Sequence, residues 1–257
     1  GMSGTINFEM STANIGVLTI DQPKKRNALN ASMWTQLPKV LKIAEEAEDL
    51  KVLIVKGMGD HFASGADISE FETLYATAAS AKGISDSIAV GLDALAAFPR
   101  PVIAQIRGAC VGGGCGIALA CDFRFADDTS KFAITPGKLG LVYPFADVAR
   151  LIDAVGVQNA KDLLYSGRLI LADDAKAMGL VSRLSPPETL EASVMDYAQN
   201  LCAVSSQSAT ITKAMFANYA AGQRKDNKET ADWFLAGFSS KDFAEGYRAF
   251  LEKRKPE

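Results

Sequence analysis

Short apolar runs recur along the first half of the chain, separated by polar and amphipathic stretches. Each run is four to six residues long, which is the length of a buried strand. The runs are Ile15–Ile20, Val52–Val55, Val102–Ile106 and Phe123–Ala126. We expect these runs to form a largely buried sheet, with the strands concentrated before Thr135.

The stretch between the first two runs has the pattern of an amphipathic helix. Its apolar residues are three or four positions apart, at Met33, Leu37, Val40, Leu41 and Ala44. Asn30 or Ser32 is placed to cap the first turn. Because an interior proline removes a hydrogen bond, Pro38 predicts a kink or a late helix start. Strand, helix and strand in this order indicate an α/β fold.

The later part of the chain has mostly helical patterns. Residues 69–97 are rich in alanine and have a helical pattern that the small residues of Ser80–Gly83 interrupt. Helical patterns also dominate after Pro136. Ser182–Pro187 contains two prolines and is the predicted boundary between a core, residues 1–185, and a helical C-terminal region, residues 186–257.

The composition is that of an ordinary globular protein. Of the 257 residues, 48% are hydrophobic, which is enough for a sizeable core. A net charge of −3 argues against a surface devoted to nucleic acid. No run reaches the ~18 apolar residues of a membrane span. Gly1 resembles a remnant of an expression tag, and the residues after it lack the pattern of a signal peptide. We therefore expect a cytoplasmic protein that binds neither nucleic acid nor membrane.

The cysteines do not have the spacing of a disulfide framework or of a structural zinc site. Cys110, Cys115 and Cys121 have apolar neighbours, and Cys202 lies far along the chain. His61 is the single histidine of the sequence. These residues predict reduced core thiols and no metal site.

Two glycine-containing turns carry the strongest chemical signal. They are Phe62–Ile68 and Gly108–Gly116, and the second follows a predicted strand and precedes an apolar helical stretch. Backbone N–H groups at such a helix end can stabilise one developing oxyanion. Alternatively, the glycines only allow close packing of helix and strand, which we would favour for Gly-Gly-Gly without the first turn. A dinucleotide site is not indicated, because Ile117 stands where the third glycine is required.

Together these segments resemble the crotonase family, also called the enoyl-CoA hydratase/isomerase family. The resemblance rests on Asn27–Asn30, on both glycine turns, on Lys138–Gly140 and on Glu245–Arg254. It implies a spiral of ββα units with a helical C-terminal trimerisation region. It also implies a homotrimer or a dimer of trimers that acts on acyl-CoA thioesters.

The resemblance also implies roles for individual residues. The N–H groups of Ala66 and Gly113 would bind the thioester carbonyl oxygen of an acyl-CoA, with Gly112 beside them. Coenzyme A is then part of the substrate, and no cofactor is permanently bound. The other implied contacts are the adenine end at Ala63, Ser64, Asp67 and Ile68, the phosphates at Lys24, Lys25 or Arg26, and Phe250 and Lys253 contributed by a neighbouring subunit. From the residues alone, Lys24–Arg26 is equally a solvated surface run and Phe250 a core contact.

The sequence departs from the family at the two glutamates that activate and deliver water in its hydratases. Those positions are Gly116 and Pro136, and neither residue can transfer a proton. Tyr143 is the best remaining candidate, because Thr135–Tyr143 resembles the corresponding stretch of methylmalonyl-CoA decarboxylase. That enzyme keeps the first glutamate. Alternatively, Tyr143 packs its ring in a pocket wall and bonds its hydroxyl to a backbone group.

Two classes of function follow from this pattern. The first is a lyase or isomerase that stabilises a thioester enolate; standard hydration is in doubt, and decarboxylation or isomerisation is encouraged by the missing glutamates. Loss of CO₂ itself leaves an enolate, so decarboxylation needs no base. The second is a protein that binds acyl-CoA without turnover. His61 precedes the first turn and is a further candidate for a general base.

Overall fold

The computed structural model describes residues 4–257 and shows a mixed α/β fold. Within these residues the strands are β1 (Thr5–Met10), β2 (Ile15–Asp21), β3 (Val52–Gly57), β4 (Val102–Ile106), β5 (Ala109–Val111), β6 (Phe123–Asp127), β7 (Lys131–Ala133), β8 (Ile170–Leu171) and β9 (Arg183–Ser185). The α-helices of the same part of the chain are α1 (Ala31–Glu46), α2 (Phe71–Leu74), α3 (Ala78–Ala96), α4 (Gly113–Ala120), α5 (Phe145–Ser166), α6 (Ala172–Ala177), α7 (Leu190–Cys202), α8 (Ser206–Ala220), α9 (Lys228–Ala236) and α10 (Lys241–Glu252).

The larger sheet has the strand order β1-β2-β3-β4-β6-β9. Strands β1 and β2 pair antiparallel, and the other neighbours pair parallel. The central strands are apolar on both sides because helices cover both faces. Trp34 and Leu37 of α1 pack on one face, while Leu190 and Val194 of α7 pack on the other.

A smaller sheet with the order β5-β7-β8 lies next to the second glycine turn. Strand β5 ends at Val111, Gly112 follows, and α4 begins at Gly113. The Gly112 N–H donates a 2.9 Å hydrogen bond to the carbonyl of Ala133, the last residue of β7. This sheet therefore fixes the point at which α4 starts.

Helix α1 differs from the sequence prediction at Pro38. The helix begins at Ala31 and continues through Pro38 to Glu46, so the predicted late start is wrong. Asn30 caps it by accepting a 2.9 Å hydrogen bond from the Met33 N–H, as one of the two predicted caps. Burial of the helix against the sheet offsets the missing hydrogen bond at Pro38.

The predicted interruption at Ser80–Gly83 is also wrong. Helix α3 begins at Ala78 and includes these residues, and the non-helical stretch lies earlier, between α2 and α3 at Tyr75–Thr77. Thr77 and Ser80 form a capping box in which each side chain bonds the backbone N–H of the other. Ser80 is therefore part of a helix start signal rather than a breaker.

Of the nine strands in residues 4–257, seven lie before Thr135, as predicted, and the two short strands β8 and β9 follow it. Strand β9 pairs with β6 at the edge of the larger sheet, and Ser182–Pro187, the predicted boundary, contains it. The strand is only three residues long and two prolines follow it. Such a segment has the composition of a loop, and only its pairing with β6 makes it a strand.

The last three helices lie beyond the sheet and expose many aromatic side chains. Lys213 of α8 links them to the core, because its Nζ donates to the Arg100 carbonyl at 2.9 Å and to the Asp122 carboxylate at 2.8 Å. The exposed aromatic residues of this region are Phe216, Tyr219, Phe234, Phe238, Phe243, Tyr247 and Phe250. Within residues 4–257, no helix has the length and apolarity needed to cross a membrane.

Candidate active site

The two glycine turns lie side by side. The Ala63 N–H donates to the Ala109 carbonyl, and the Val111 N–H donates to the Ala63 carbonyl, each at 3.0 Å. A Cβ placed on Gly112 would lie 3.8 Å from the Cα of Gly65. The residues that follow these glycines in the chain, Ala66 and Gly113, are therefore brought to the same region of the surface.

Two positions of the second turn require glycine for different reasons. Gly112 has a φ of 56° and a ψ of −114°, a conformation that side chains disfavour. A Cβ on Gly114 would lie 2.3 Å from the Ala63 carbonyl oxygen, which is closer than atoms can approach. The glycines thus allow both the shape of the turn and its contact with the first turn.

The N–H groups of Ala66 and Gly113 have no acceptor among residues 4–257. On the first turn, the Leu29 N–H donates to Gly65 and the Asp67 N–H donates to Leu29, which pairs both neighbours of Ala66. Since alternate backbone groups of an extended segment point to opposite sides, the Ala66 N–H points away from Leu29. Gly113 is the first residue of α4, where an N–H has no partner within the helix.

Both donors are accessible to a ligand, because Ala66 is exposed and Gly113 is half-buried. The first turn of α4 adds the partial positive charge of a helix N-terminus. Two unpaired donors in this setting favour a negatively charged oxygen between them.

Tyr143 lies against the second turn. Its hydroxyl donates a 2.8 Å hydrogen bond to the Gly112 carbonyl, which also accepts from the Gly116 N–H at 3.0 Å. Burial raises the pKa of Tyr143 well above its usual range, and the charge of Asp147 raises it further. The phenol is therefore a hydrogen-bond donor. Its contact with a backbone carbonyl matches the alternative prediction, in which Tyr143 bonds its hydroxyl to a backbone group.

The positions of the missing glutamates have different surroundings. Pro136 begins a short 3₁₀ helix, Pro136–Leu139, at the end of which Gly140 adopts a left-handed conformation. Gly116 is buried in α4, facing Tyr143 and the carboxylate of Asp147. Asp147 lies thirty-one positions after Gly116, and no spacing rule connects the two, so sequence patterns do not point to it.

The residues implied for the CoA moiety lie around the first turn. Lys24 and Arg26 are exposed and form no ion pair within residues 4–257. Ile68 is 77% exposed, and the Ser64 hydroxyl donates to the carbonyl of Lys25 at 3.0 Å. A ligand can reach these residues from solvent, whereas Ala63 is fully buried under the turn.

Asp67 is engaged within the protein. Its carboxylate accepts hydrogen bonds from Lys25 at 3.0 Å and from Ser69. Burial alone would raise the pKa of Asp67, but the hydrogen bonds from Ser69 and Lys25 outweigh burial and hold the pKa below its usual value. In this arrangement the Asp67 side chain stabilises the turn, and a ligand would contact the backbone next to Asp67 rather than its carboxylate.

Asn27 connects the early motif to the first turn. Its buried side chain donates to the carbonyls of Met58 at 3.0 Å and His61 at 2.8 Å, and accepts from the Gln22 N–H at 2.9 Å. Its backbone has a φ of 59°, which asparagine tolerates better than most residues. The residue therefore holds the segment of Lys24–Arg26 against the turn.

His61 and the buried cysteines have structural surroundings. The His61 Nδ1 accepts a 2.9 Å hydrogen bond from the Ala109 N–H. Burial raises the pKa of Cys110 above its usual range and that of Cys121 to about 12, so both are protonated thiols. Among residues 4–257 no cluster of three His, Cys, Asp or Glu side chains is arranged to hold a metal ion.

Comparison with known proteins decides the family. The sequence model described as enoyl-CoA hydratase/isomerase matches residues 10–257. The chain belongs to the enoyl-CoA hydratase/isomerase family. It is 34% identical to a probable enoyl-CoA hydratase of Bacillus subtilis over 254 residues, covering 95% of this chain and 94% of that protein. It is 35% identical to a crotonyl-CoA hydratase of Syntrophomonas wolfei over 244 residues, covering 94% and 93%.

Solved structures show the same fold. A putative enoyl-CoA hydratase/isomerase family protein from Hyphomonas neptunium superposes with a TM-score of 0.95 at 42% identity, over 98% of this chain and 96% of that chain. An enoyl-CoA hydratase/carnithine racemase from Magnetospirillum magneticum gives a TM-score of 0.93 at 34% identity, over 98% and 94%. The predicted crotonase-like fold is confirmed, and as a member of the family the protein is an acyl-CoA enzyme.

Two residues implied by the family resemblance lie outside this site in the single chain. Phe250 is 80% exposed on α10 and lines a surface cavity together with residues of α8 and α9. Lys253 ends the same helix in a left-handed conformation. Neither lies next to the glycine turns in the chain itself, so a role at the site of an enoyl-CoA hydratase/isomerase would require a neighbouring subunit.

Proposed function

We propose that the protein stabilises the enolate of an acyl-CoA thioester between the N–H groups of Ala66 and Gly113. The observation that carries the proposal is that neither N–H group has an acceptor within residues 4–257 while the turns around them are adjacent. An enolate oxygen needs two convergent donors at about 3 Å, and removing one such donor costs about 10²- to 10³-fold in rate. Gly112 allows the backbone to approach the substrate without a side chain.

The reaction class follows from the residues at the two glutamate positions. Gly116 and Pro136 cannot move a proton, so hydration by a pair of glutamates is not expected. Decarboxylation, as in methylmalonyl-CoA decarboxylase, is the second candidate, because departure of CO₂ generates the enolate without a base. The Tyr143 hydroxyl is bonded to the Gly112 carbonyl, so any contribution of Tyr143 to this reaction would pass through that backbone contact.

We further propose the CoA contacts on the first turn. Ser64, Ile68 and the backbone at Asp67 would flank the adenine end, with Ile68 offering an exposed apolar side chain, and the buried Ala63 would support them from beneath. Lys24 and Arg26 would bind the phosphates, because both are exposed cations without an ion pair in the described chain.

The proposed assembly is a homotrimer or a dimer of trimers. Helices α8 to α10 expose a group of large aromatic side chains, which a monomer leaves in water. Phe250 and Lys253 would then contribute to the CoA site of a neighbouring subunit. Mass photometry at nanomolar concentration is expected to give three or six times the chain mass, and a monomer would contradict the proposal.

The enolate proposal is tested by mass spectrometry in D₂O. The protein is incubated with saturated, enoyl and malonyl-type CoA thioesters, and deuterium uptake and CO₂ loss are followed for each. Deuterium uptake without CO₂ loss indicates hydratase or isomerase chemistry. CO₂ loss from the malonyl-type thioesters alone indicates decarboxylation, and binding without any turnover indicates a non-catalytic acyl-CoA binding protein.

Two variants at one position give a matched control. Gly113→Pro and Gly113→Ala both add a Cβ, which would lie 3.0 Å from Trp34, but only proline removes the N–H. Proline is compatible with the first position of a helix, which Gly113 occupies. We expect turnover to fall at least 100-fold further in Gly113→Pro than in Gly113→Ala. Equal turnover of the two variants contradicts the proposed role of this N–H.

A further inference from the structure

Atoms of three other residues surround the position that a side chain of Gly116 would take. A Cβ placed on Gly116 would meet Leu92 at 3.2 Å, the Tyr143 hydroxyl at 3.4 Å and the Asp147 Oδ2 at 3.6 Å. Gly116 lies three residues after Gly113 on α4, which is about 4.5 Å along a helix. A carboxylate from α5 thus lies next to the position where this chain has no acidic side chain of its own.

The two oxygens of Asp147 differ. Oδ1 accepts a 3.1 Å hydrogen bond from Arg150, one turn later on α5. Oδ2 has no hydrogen-bond partner among residues 4–257, although the residue is only 2% exposed. Since no described polar side-chain atom is both sealed from solvent and unpaired, Oδ2 keeps some accessible surface, and it lies 3.6 Å from the place that a Cβ of Gly116 would take.

The charged groups nearest to Asp147 are Arg150 and Asp93. Arg150 also donates to Asp93 of α3 at 2.9 Å, so its charge is shared between two carboxylates. Asp93 is therefore a second carboxylate near Asp147, and the phenol of Tyr143 is a further titratable group beside it. Burial raises the pKa of Asp147, and the nearby Arg150 only partly opposes that effect. Such a carboxyl is suited to taking up and releasing protons nearer to neutral pH.

We propose that Asp147 Oδ2 exchanges protons with the α-carbon of the bound thioester, in place of the carboxylate absent at Gly116. This assignment rests on the enolate function proposed above. In one direction the Cα–H bond breaks, its electron pair enters the enolate, and an O–H bond forms on Oδ2. In the other direction that O–H bond breaks and the proton returns to the α-carbon, which restores the carboxylate.

A purely structural Asp147 would only hold Arg150 in place. That role needs a hydrogen-bond acceptor at Oδ1, which asparagine also provides. Asp147→Asn therefore keeps the contact with Arg150 and removes the group that takes the proton. Asp153 is exposed on the same helix, and Asp153→Asn is the matched control for loss of one carboxylate.

The test is deuterium exchange at the α-carbon of butyryl-CoA in D₂O, read by mass spectrometry, with the dissociation constant measured in parallel. We expect exchange by the wild type and by Asp153→Asn, and at least a 100-fold loss in Asp147→Asn with less than a threefold change in affinity. Exchange by Asp147→Asn within threefold of the wild type overturns the assignment. Butyryl-CoA that binds to the wild type without exchanging also overturns it.

The pH profile of the wild type gives a second test that does not depend on the folding of a variant. Exchange is expected to rise as one carboxyl with a raised pKa ionises, and a rate independent of pH between 4 and 9 contradicts the assignment. If the wild type neither binds nor turns over any of the saturated, enoyl or malonyl-type CoA thioesters, the proposed enolate function itself is wrong. If the wild type and Asp147→Asn turn over the thioester equally well, the assignment to Asp147 is wrong and the enolate function still stands.

Discussion

The Tyr143 hydroxyl donates a hydrogen bond of 2.8 Å to the carbonyl oxygen of Gly112, and that carbonyl belongs to the same peptide unit as the N–H of Gly113. The described chain has no cis peptide bond, so the C=O and N–H of this unit point in opposite directions. A hydrogen bond to the oxygen polarises the peptide and strengthens the N–H as a donor. Tyr143 can therefore act on the substrate oxygen through the backbone, without touching it.

This relationship predicts the effect of Tyr143→Phe. One neutral hydrogen bond is worth about 0.5–1.5 kcal/mol, and only the part that strengthens in the transition state changes the rate, so we expect a rate lower by up to roughly 12-fold. The effect should appear in kcat rather than in KM, because the enolate carries more charge than the bound thioester. Steady-state kinetics with the thioester that is turned over fastest measure it.

Tyr165→Phe is the matched control for this change. Tyr165 is 81% exposed near the C-terminal end of α5, whereas Tyr143 precedes the start of that helix, so removal of the Tyr165 hydroxyl should leave both kinetic constants unchanged. A Tyr143→Phe enzyme with unchanged kcat would show that the phenol does not support the Gly113 donor. A change confined to KM would place the hydroxyl in substrate binding instead.

Gly114→Ala should destabilise the fold strongly. Its Cβ would collide with the Ala63 carbonyl, a backbone atom that cannot move without separating the two turns. Overpacking of this kind costs about 1–3 kcal/mol. Urea unfolding followed by circular dichroism gives the free energy of unfolding.

The comparison variant is Gly83→Ala. Gly83 lies in α3 with no atom within 4 Å of its added Cβ, and there alanine should stabilise the helix by about 0.5–1 kcal/mol. Opposite signs at the two glycines are expected. A mild effect at Gly114 would mean that the turns are not in close contact.

Asp67→Asn should lower stability in a manner that depends on pH. The pKa of Asp67 is lowered in the folded protein, so its charge stabilises the fold above the usual carboxyl pKa, and this stability is lost as the pH falls through the lowered pKa. We expect a cost of about 1 kcal/mol at pH 7, since Lys25 is partly exposed to solvent. The difference from the wild type should shrink below about pH 4, the usual carboxyl pKa.

Thermal unfolding between pH 3 and pH 7 measures this difference. Asp60→Asn is the control, because Asp60 is exposed near the same turn and its carboxylate forms no ion pair in the described chain. A cost for Asp67→Asn that is the same at pH 3 and pH 7 would show that the charge of Asp67 is not what stabilises the turn.

Asp147→Asn should have the opposite pH dependence. The pKa of Asp147 is raised in the folded protein, so the folded state holds its proton longer, and wild-type stability falls as the pH rises from about 4 through the raised pKa. The asparagine variant has no such loss. Its stability relative to the wild type should therefore increase with pH in urea unfolding between pH 4 and pH 8, and a constant difference would contradict the raised pKa.

The sequence predicted those parts of the fold that local patterns specify. The apolar runs at β2, β3, β4 and β6 became the central strands, and Asn30 became a helix cap. Strand β9 was missed because three residues beside two prolines form a strand only through pairing with β6. The local composition of β9 does not indicate that it pairs with β6.

The candidate site shows the same limit. The turns containing Ala66 and Gly113 were recognisable, because glycine is required where a backbone turns sharply or approaches another backbone. Asp147 was not, because its relation to Gly116 depends on how α5 packs on α4. Long-range packing of this kind has no fixed sequence spacing.

The most direct test of the account is a crystal structure of the protein with a bound acyl-CoA. The account predicts the thioester carbonyl oxygen within about 3 Å of the backbone nitrogens of both Ala66 and Gly113. We also expect the α-carbon of the bound thioester to face the carboxylate of Asp147. A carbonyl oxygen that faces solvent, or that is bonded by other groups while Ala66 and Gly113 stay unpaired, would contradict the central claim.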